Sequence, residues 1–331
     1  MTITLEIIDS LQELPDLQEF IENSANGGLF HSPKFLGYHA PEKFPTPKHQ
    51  QHHILLKNEK GILGFMPGMR ITENEQTIFK SPFGSSYGGL IHRRNLFYDD
   101  IDNLIFKIQE SLNNDFDKAI VTPPASIYCT PSIEIANYQH FLWLKYGFVI
   151  QSADILLCAD ARNENDIQAS LHAKTRTELR QALKNNLTLD ISNEITEIDY
   201  SLLQESQRRL GAQPTHTFDE LNRIATLFPG RVKIFRTIAD QEIIAGIITF
   251  QVTKNVLNTF YIFDNAAYRN LKPNHFNYYN VLLYAYQNNY KYIDFGPTSK
   301  GYDDNKPLIF FKEKFGNEPH LRFSFSRHSK K

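Results

Sequence analysis

The feature that most constrains this chain is a plan that occurs twice. Residues 53–70 read as a strand, a polar turn at Asn58-Glu59-Lys60-Gly61, and a second strand. Residues 232–250 repeat it, with the turn at Ala239-Asp240-Gln241-Glu242. Each second strand carries a glycine just inside it, Gly64 and Gly246. Glycine inside a strand marks a bulge or a close backbone approach. A helical pattern follows in both copies. Residues 100–113 place Ile101, Leu104, Ile105, Ile108 and Leu112 on one face, and residues 277–289 place Tyr278, Val281, Leu282 and Ala285 there. Each helix leads into a short apolar strand ending at proline, Ala119–Pro124 and Tyr292–Pro297. The copies stay about 170–180 residues apart. The pattern predicts a tandem duplication of an α/β unit with mixed sheets, as two domains, 1–160 and 161–331. The polar, turn-rich stretch after Cys158 joins them.

A chain of 331 residues is long for one core and comfortable for two. Hydrophobic residues make up 41% and charged residues 22%, an ordinary globular balance that argues against global disorder. The formal net charge of −2 supplies no overall basic field for nucleic acid, although a local basic groove is compatible with it. Cys129 and Cys158 have no metal-ligand spacing and read as reduced, buried thiols. The start lacks the basic and apolar regions of a signal peptide, and no apolar run is long enough to span a membrane. The expected location is cytoplasmic. His49, His52 and His53 lack a carboxylate or cysteine at ligand spacing, so they read as a surface turn, and no metal site is expected.

The second half opens with a long basic helix, residues 167–185, carrying Lys174, Arg176, Arg180 and Lys184. Helices near Tyr200–Leu210 and Thr217–Leu227 follow, and Asp219 and Glu220 suit the positive end of the latter. Leu257–Asp264 reads as the central strand, with Tyr261 and Asp264 toward its end. Asp294 lies between Ile293 and Phe295 in a buried-looking strand, where a carboxylate needs partners or a polar cleft. Leu308–Phe315, with Lys312, reads as a strand near the sheet edge. Lys300, Tyr302 and Lys306 lie in a loop able to close over an anionic substrate. There is no Gly-x-Ser-x-Gly and no Ser-His-Asp or Cys-His set.

Several segments, taken in order, resemble the GNAT superfamily in its FemAB-like and BioF2-like tandem form. They are Phe30–Leu36, the basic stretch Lys174–Asn186, Arg208-Arg209-Leu210-Gly211, Arg269–Pro273, Tyr290–Gly296 and Leu308–Gly316. The resemblance implies two GNAT-like domains, the first on the acceptor side and the second on the donor side. It implies transfer of an acyl or aminoacyl group from a thioester or aminoacyl-tRNA to an amine or hydroxyl, as in cell-wall or polysaccharide biosynthesis. Acyl-CoA, acyl carrier protein or aminoacyl-tRNA would serve as co-substrate, with no tightly bound cofactor. The acceptor would be a small molecule, peptide or glycan precursor.

Such chemistry is direct attack, so it needs a proton path, oxyanion donors and an acid for the leaving group. By resemblance Lys312 faces the transfer site, with Asp294, Tyr261 and Asp264 as further catalytic candidates. Substrate-binding candidates are Lys34, Tyr87, Tyr128, Arg176, Arg209, Arg269, Lys272 and Tyr302. The sequence departs from the superfamily at the pyrophosphate loop. Arg269–Asn274 holds no glycine, and Pro273 removes one N–H donor. Two other readings stay open: a binding protein that kept the fold without the chemistry, and an RNA-binding protein using helix 167–185.

Overall fold

A computed structural model describes residues 2–11, 14, 16–39, 41–162, 167–316 and 318–329. The chain divides into two compact units. The first is Met1–Asp154 with Lys300–Tyr302 and His320–Lys331; the second is Ile155–Ser299 with Asp303–Pro319.

In chain order the first stretch holds β1 (Thr4–Ile8), α1 (Leu17–Asn23), α2 (Pro33–Leu36), β2 (His49–Gln51), β3 (His53–Asn58), β4 (Gly61–Met66), β5 (Met69–Glu73), β6 (Gln76–Ser81), β7 (Ile91–His92), α3 (Tyr98–Asp115), β8 (Lys118–Val121), α4 (Ala136–Lys145) and β9 (Val149–Asp160). The second holds α5 (Ile167–Ser170), α6 (Ala173–Leu183), β10 (Thr188–Ser192), α7 (Glu197–Arg209), α8 (Phe218–Leu227), β11 (Val232–Ala239), β12 (Glu242–Gln251), β13 (Val256–Asp264), α9 (Pro273–Gln287), β14 (Tyr292–Pro297), β15 (Ser299–Lys300), β16 (Asp303–Asp304), α10 (Lys306–Glu313) and β17 (Glu318–His328).

In the first unit β1, β3, β4 and β7 form one antiparallel sheet, and β17, β8, β6, β5 and β2 lie side by side in that order. The apolar stripe of α3, from Ile101 to Leu112, packs on Leu56, Leu63, Phe79, Val121, Trp143 and Phe325. In the second unit the order is β10, β11, β12, β13, β14, β9. Phe235, Ile247, Leu257 and Ile293 of that sheet pack against Leu179 of α6, Tyr278 and Val281 of α9, and Phe315. Each such side chain taken fully from water contributes about 1.5–3 kcal/mol before entropy is counted.

Both predicted hairpins form, β3–β4 and β11–β12, and each carries a register shift near its turn, at Leu56/Lys57 and at Thr237/Ile238. The two glycines do mark close approaches. A Cβ on Gly246 would stand 2.2 Å from the Phe263 ring, and one on Gly64 would stand 3.0 Å from Leu90 Cδ1. Gly246→Ala is therefore expected to destabilise the protein by about 1–3 kcal/mol through overpacking. Urea unfolding measures this, and an unchanged midpoint would contradict the close approach.

Three expectations are corrected. The basic helix 167–185 is two helices, because His172 is extended (φ −57°, ψ 145°). Leu308–Phe315 is mainly helical. Asn305 Oδ1 accepts the Leu308 N–H at 3.1 Å, Pro307 lies in the first turn, and Phe311 and Phe315 fall one turn apart on the core side. The histidine cluster is not a surface turn. His52 and His53 are buried, and burial pushes the His53 imidazole down to about 3, leaving it a neutral acceptor for the Gly68 N–H.

Candidate active site at the forked strands

β13 and β14 are the parallel neighbours at the centre of the second unit. Their ladder runs through Val256–Tyr292, Leu257–Ile293 and Asn258–Asp294. There it ends, while β13 continues to Asp264 and β14 to Pro297. Two local irregularities accompany the fork. On β13 the pairing with β12 skips Phe260, between Ile248–Tyr261 and Thr249–Thr259. On β14 the pairing with β9 slips between Asp294–Cys158 and Pro297–Leu156, and Gly296 adopts φ +76° there, a conformation that suits glycine.

Asp294 sits at the fork point, 2% exposed. Ile293 and Phe295 on either side of it are buried as well. Asp294 Oδ1 accepts the Gly296 N–H at 2.6 Å, and Oδ2 accepts Asn258 Nδ2 at 3.0 Å. The carboxylate thus holds the turn that bends β14 away. Across the sheet, Cys158 faces it in register. Burial, reinforced by Asp294, raises the Cys158 pKa well above a thiol's ordinary value, so it stays protonated.

Lys312 reaches this turn from α10 and is 5% exposed. Its Nζ donates to Gly296 O at 3.2 Å and Pro297 O at 3.1 Å. Burial lowers its pKa to about 8, against the opposing pull of Asp294 and Cys158. An ammonium has three donors, so two carbonyls leave one for another acceptor. Lys312, expected on a strand near the sheet edge, is thus carried by a helix and buried.

Tyr261 is buried, and its hydroxyl is surrounded by the loop before α8. It accepts the Thr215 and His216 N–H groups at 3.0 and 3.2 Å and contacts Thr215 Oγ1 at 2.6 Å and His216 Nδ1 at 2.7 Å. Tyr261→Phe would leave two backbone donors without that acceptor. The expected loss is about 1–3 kcal/mol of stability, read by thermal unfolding. A fully stable variant would show that this loop does not depend on the phenol.

Asp264 ends β13. Its carboxylate is bridged to Arg209 and takes Arg269 Nε at 2.7 Å, while Arg209 also donates to Asp264 O at 2.7 Å. Two guanidinium groups therefore already hold the carboxylate. Arg176 is spent locally, capping Ala169 O and Leu171 O at 3.0 and 2.8 Å. Lys272 is left-handed (φ +60°) at the start of α9 and pairs with Glu178 at 3.7 Å.

In the first unit Lys34 lies exposed on α2. Tyr87 and Tyr128, two of the substrate-binding candidates, are buried with their rings 4.8 Å apart, and Tyr87 also packs on Phe30 at 5.0 Å. Tyr302 is 71% exposed. Sequence reasoning missed Asn258, His216, Glu178 and His275. Glu178 had a visible signal, as the acidic residue amid Lys174, Arg176, Arg180 and Lys184. Among the described residues no cluster suited to a metal ion is present, and no helix is long and apolar enough to cross a membrane.

Residues 173–304 match the acetyltransferase (GNAT) domain family. The forked parallel strands lie inside that match. Over its whole length the chain has the fold of FemX, with a TM-score of 0.70 at 13% identity, covering 99% of this chain and 97% of that one. Other solved structures share the fold. L-PGS from Bacillus licheniformis has a TM-score of 0.55 at 12% identity, over 98% of this chain and 94% of that one. The C-terminal domain of a protein assigned as a lysylphosphatidylglycerol synthetase from Agrobacterium fabrum has a TM-score of 0.55 at 13% identity, over 83% of each chain. No curated protein matches the sequence.

Proposed function

We propose that the second unit transfers an acyl or aminoacyl group from a carrier thioester or ester to an amine or hydroxyl acceptor at the β13–β14 fork. The observation that carries this is Lys312, a buried ammonium held at the fork by two carbonyls. In this reading the acceptor's lone pair forms a bond to the donor carbonyl carbon, and the carbonyl electrons move onto oxygen. Lys312 donates its remaining N–H to that oxyanion. Collapse breaks the bond to the carrier's sulfur or oxygen, which takes a proton from Lys312. The acceptor's lost proton restores the ammonium. A pKa of about 8 suits a group that must both give and regain a proton near neutrality. Asp294 acts through the Gly296 turn and is a positioning residue.

Acyl-CoA is the donor that the GNAT domain match favours, and the likeness to FemX and the synthetases supports aminoacyl transfer in cell-envelope biosynthesis. The test is donor consumption across acyl-CoAs, acyl carrier proteins and aminoacyl-tRNAs, with mixed amine and hydroxyl acceptors. No turnover with any donor would sink the reading. A second reading, a binding protein without turnover, is favoured by the glycine-free approach to α9, where Lys272 and Pro273 replace a cradle of amides. It predicts donor binding with no transfer.

A further inference from the structure

α4 is apolar on both sides, which a helix covered on one side alone does not need. Ala136, Leu142 and Trp143 face the core, while Tyr138, Phe141 and Leu144 face outward. Beside it, Tyr98, Asp102 and Phe106 follow one another at four-residue spacing along a single face of α3. The two stripes adjoin. The Tyr98 ring stands 5.6 Å from Tyr138 and 6.5 Å from Phe141, and Phe106 stands 5.7 Å from Tyr146. Phe97, just ahead of α3, is 80% exposed, Phe141 57%, Tyr138 45% and Phe106 41%. These four rings leave on the order of 450 Å² of aromatic surface in water. A standard interface buries about 800 Å² per partner, somewhat over half of it apolar. The patch supplies that apolar share.

An ion pair lies at its middle. Lys145 Nζ is 2.6 Å from Asp102 Oδ2, and the Tyr146 hydroxyl donates to Oδ1 at 2.6 Å. The ammonium stands 6.0 Å from the centre of the Tyr98 ring and 5.2 Å from that of Tyr146. Asp102 is one turn from Tyr98 and one turn from Phe106. Phe97, Tyr138 and Phe141 therefore lie toward one end of the pair, and Phe106 and Tyr146 toward the other. A twofold axis through the pair sets each charge against its opposite in a second copy. It also lays the rings of one end on those of the other. A patch with a single sign of charge at its centre would repel itself there. An anionic lipid surface fits less well, because Asp99 and Asp100 stand in the first turn of α3 beside Phe97, the most exposed ring.

We infer that the outward face of α3 and α4 binds a second copy of this chain, as an isologous dimer with Lys145 and Asp102 at its axis. The aromatic rings form the apolar centre of the interface, and the paired charges fix its register. The dimer does not rest on the acyl-transfer reading.

The experiment is analytical ultracentrifugation of the full chain over a micromolar concentration series. The parent is expected to dimerise, and Phe141→Glu to weaken association at least about 30-fold. Lys145→Glu and Asp102→Lys each set like charges across the axis, so each is expected to weaken it about tenfold or more. Mixed in equal amounts, these two variants regain opposite charges at both contacts, and a heterodimer should form. Circular dichroism confirms that each variant is folded. A parent that stays monomeric, a dimer indifferent to Phe141→Glu, or a mixture that associates no better than its components overturns the inference. So does a monomer that instead sediments with anionic phospholipid vesicles, since the face would then belong to a lipid surface.

Discussion

Replacing Lys312 with methionine is expected to lower acyl transfer about 100- to 1000-fold with the fold intact, the loss that follows removal of one oxyanion donor. Methionine fills a similar volume without a charge, so the buried site does not collapse. The pH dependence gives a second reading of the same residue. Burial lowers the Lys312 pKa from 10.5 to about 8, so transfer that needs the ammonium should fall as pH rises through about 8. Stability moves the other way. Between about 8 and 10.5 the unfolded chain still binds the proton that the folded chain has released. Stability therefore rises with pH across that window, by on the order of 3 kcal/mol. Below it the full cost of burying the ammonium is present. Both dependences should vanish in Lys312→Met. A variant that keeps its turnover within a factor of a few, or a profile flat between pH 7 and 10, would remove Lys312 from the chemistry.

Asp199→Ala is expected to destabilise the protein by about 3–5 kcal/mol, because it strands a buried guanidinium. Asp199 is fully buried and Arg236 nearly so. Arg236 Nε and Nη2 bind the two Asp199 oxygens at 2.9 and 2.7 Å, Nη1 binds Asp190 at 2.6 Å, and Nη2 also reaches Glu194 O at 2.6 Å. Asp199 also closes the first turn of α7 by accepting the Thr196 N–H at 2.8 Å. The Arg236 guanidinium thereby ties α7, through Asp199, and β10, through Asp190, to β11. Thermal unfolding should show a fall of roughly 10 °C. Converting Asp199 and Arg236 together to apolar residues should recover much of the loss, since both partners then leave. If the single variant unfolds within a degree or two of the parent, the network contributes little.

What the sequence revealed divides along the range of the interactions. The hairpins rest on local alternation and turn residues, so β3–β4 and β11–β12 were readable, as were α3 and α9 from their apolar stripes. Asp294 stood out because a carboxylate between Ile293 and Phe295 is costly unless paired. Leu308–Phe315 misled because a short apolar run has no decisive period, and only the cap at Asn305 settles it as a helix. Tyr261 and Asp264 were picked for their place on β13. Their partners, His216 and Arg209, lie tens of residues away and leave no local trace. Glu178 and His275 meet across two helices, and nothing in either segment announces the other. The buried state of Tyr87 and His53 was hidden for the same reason: glycines and serines flank Tyr87 and a polar run precedes His53 in sequence, whereas aromatic rings pack on both in space.

The last strand has a consequence for how this chain can be made. β17 pairs antiparallel with β8 through Phe325–Val121 and its neighbours, so residues 320–328 complete the first unit, not the second. As the chain leaves the ribosome, the unit that emerges first lacks a strand until the second unit has been synthesised. Val121 and Phe79 must wait for Phe325 to close their core. Of the two units the first is thus the later to finish, and residues 1–160 expressed alone would present an open β8 edge ready to pair with another chain.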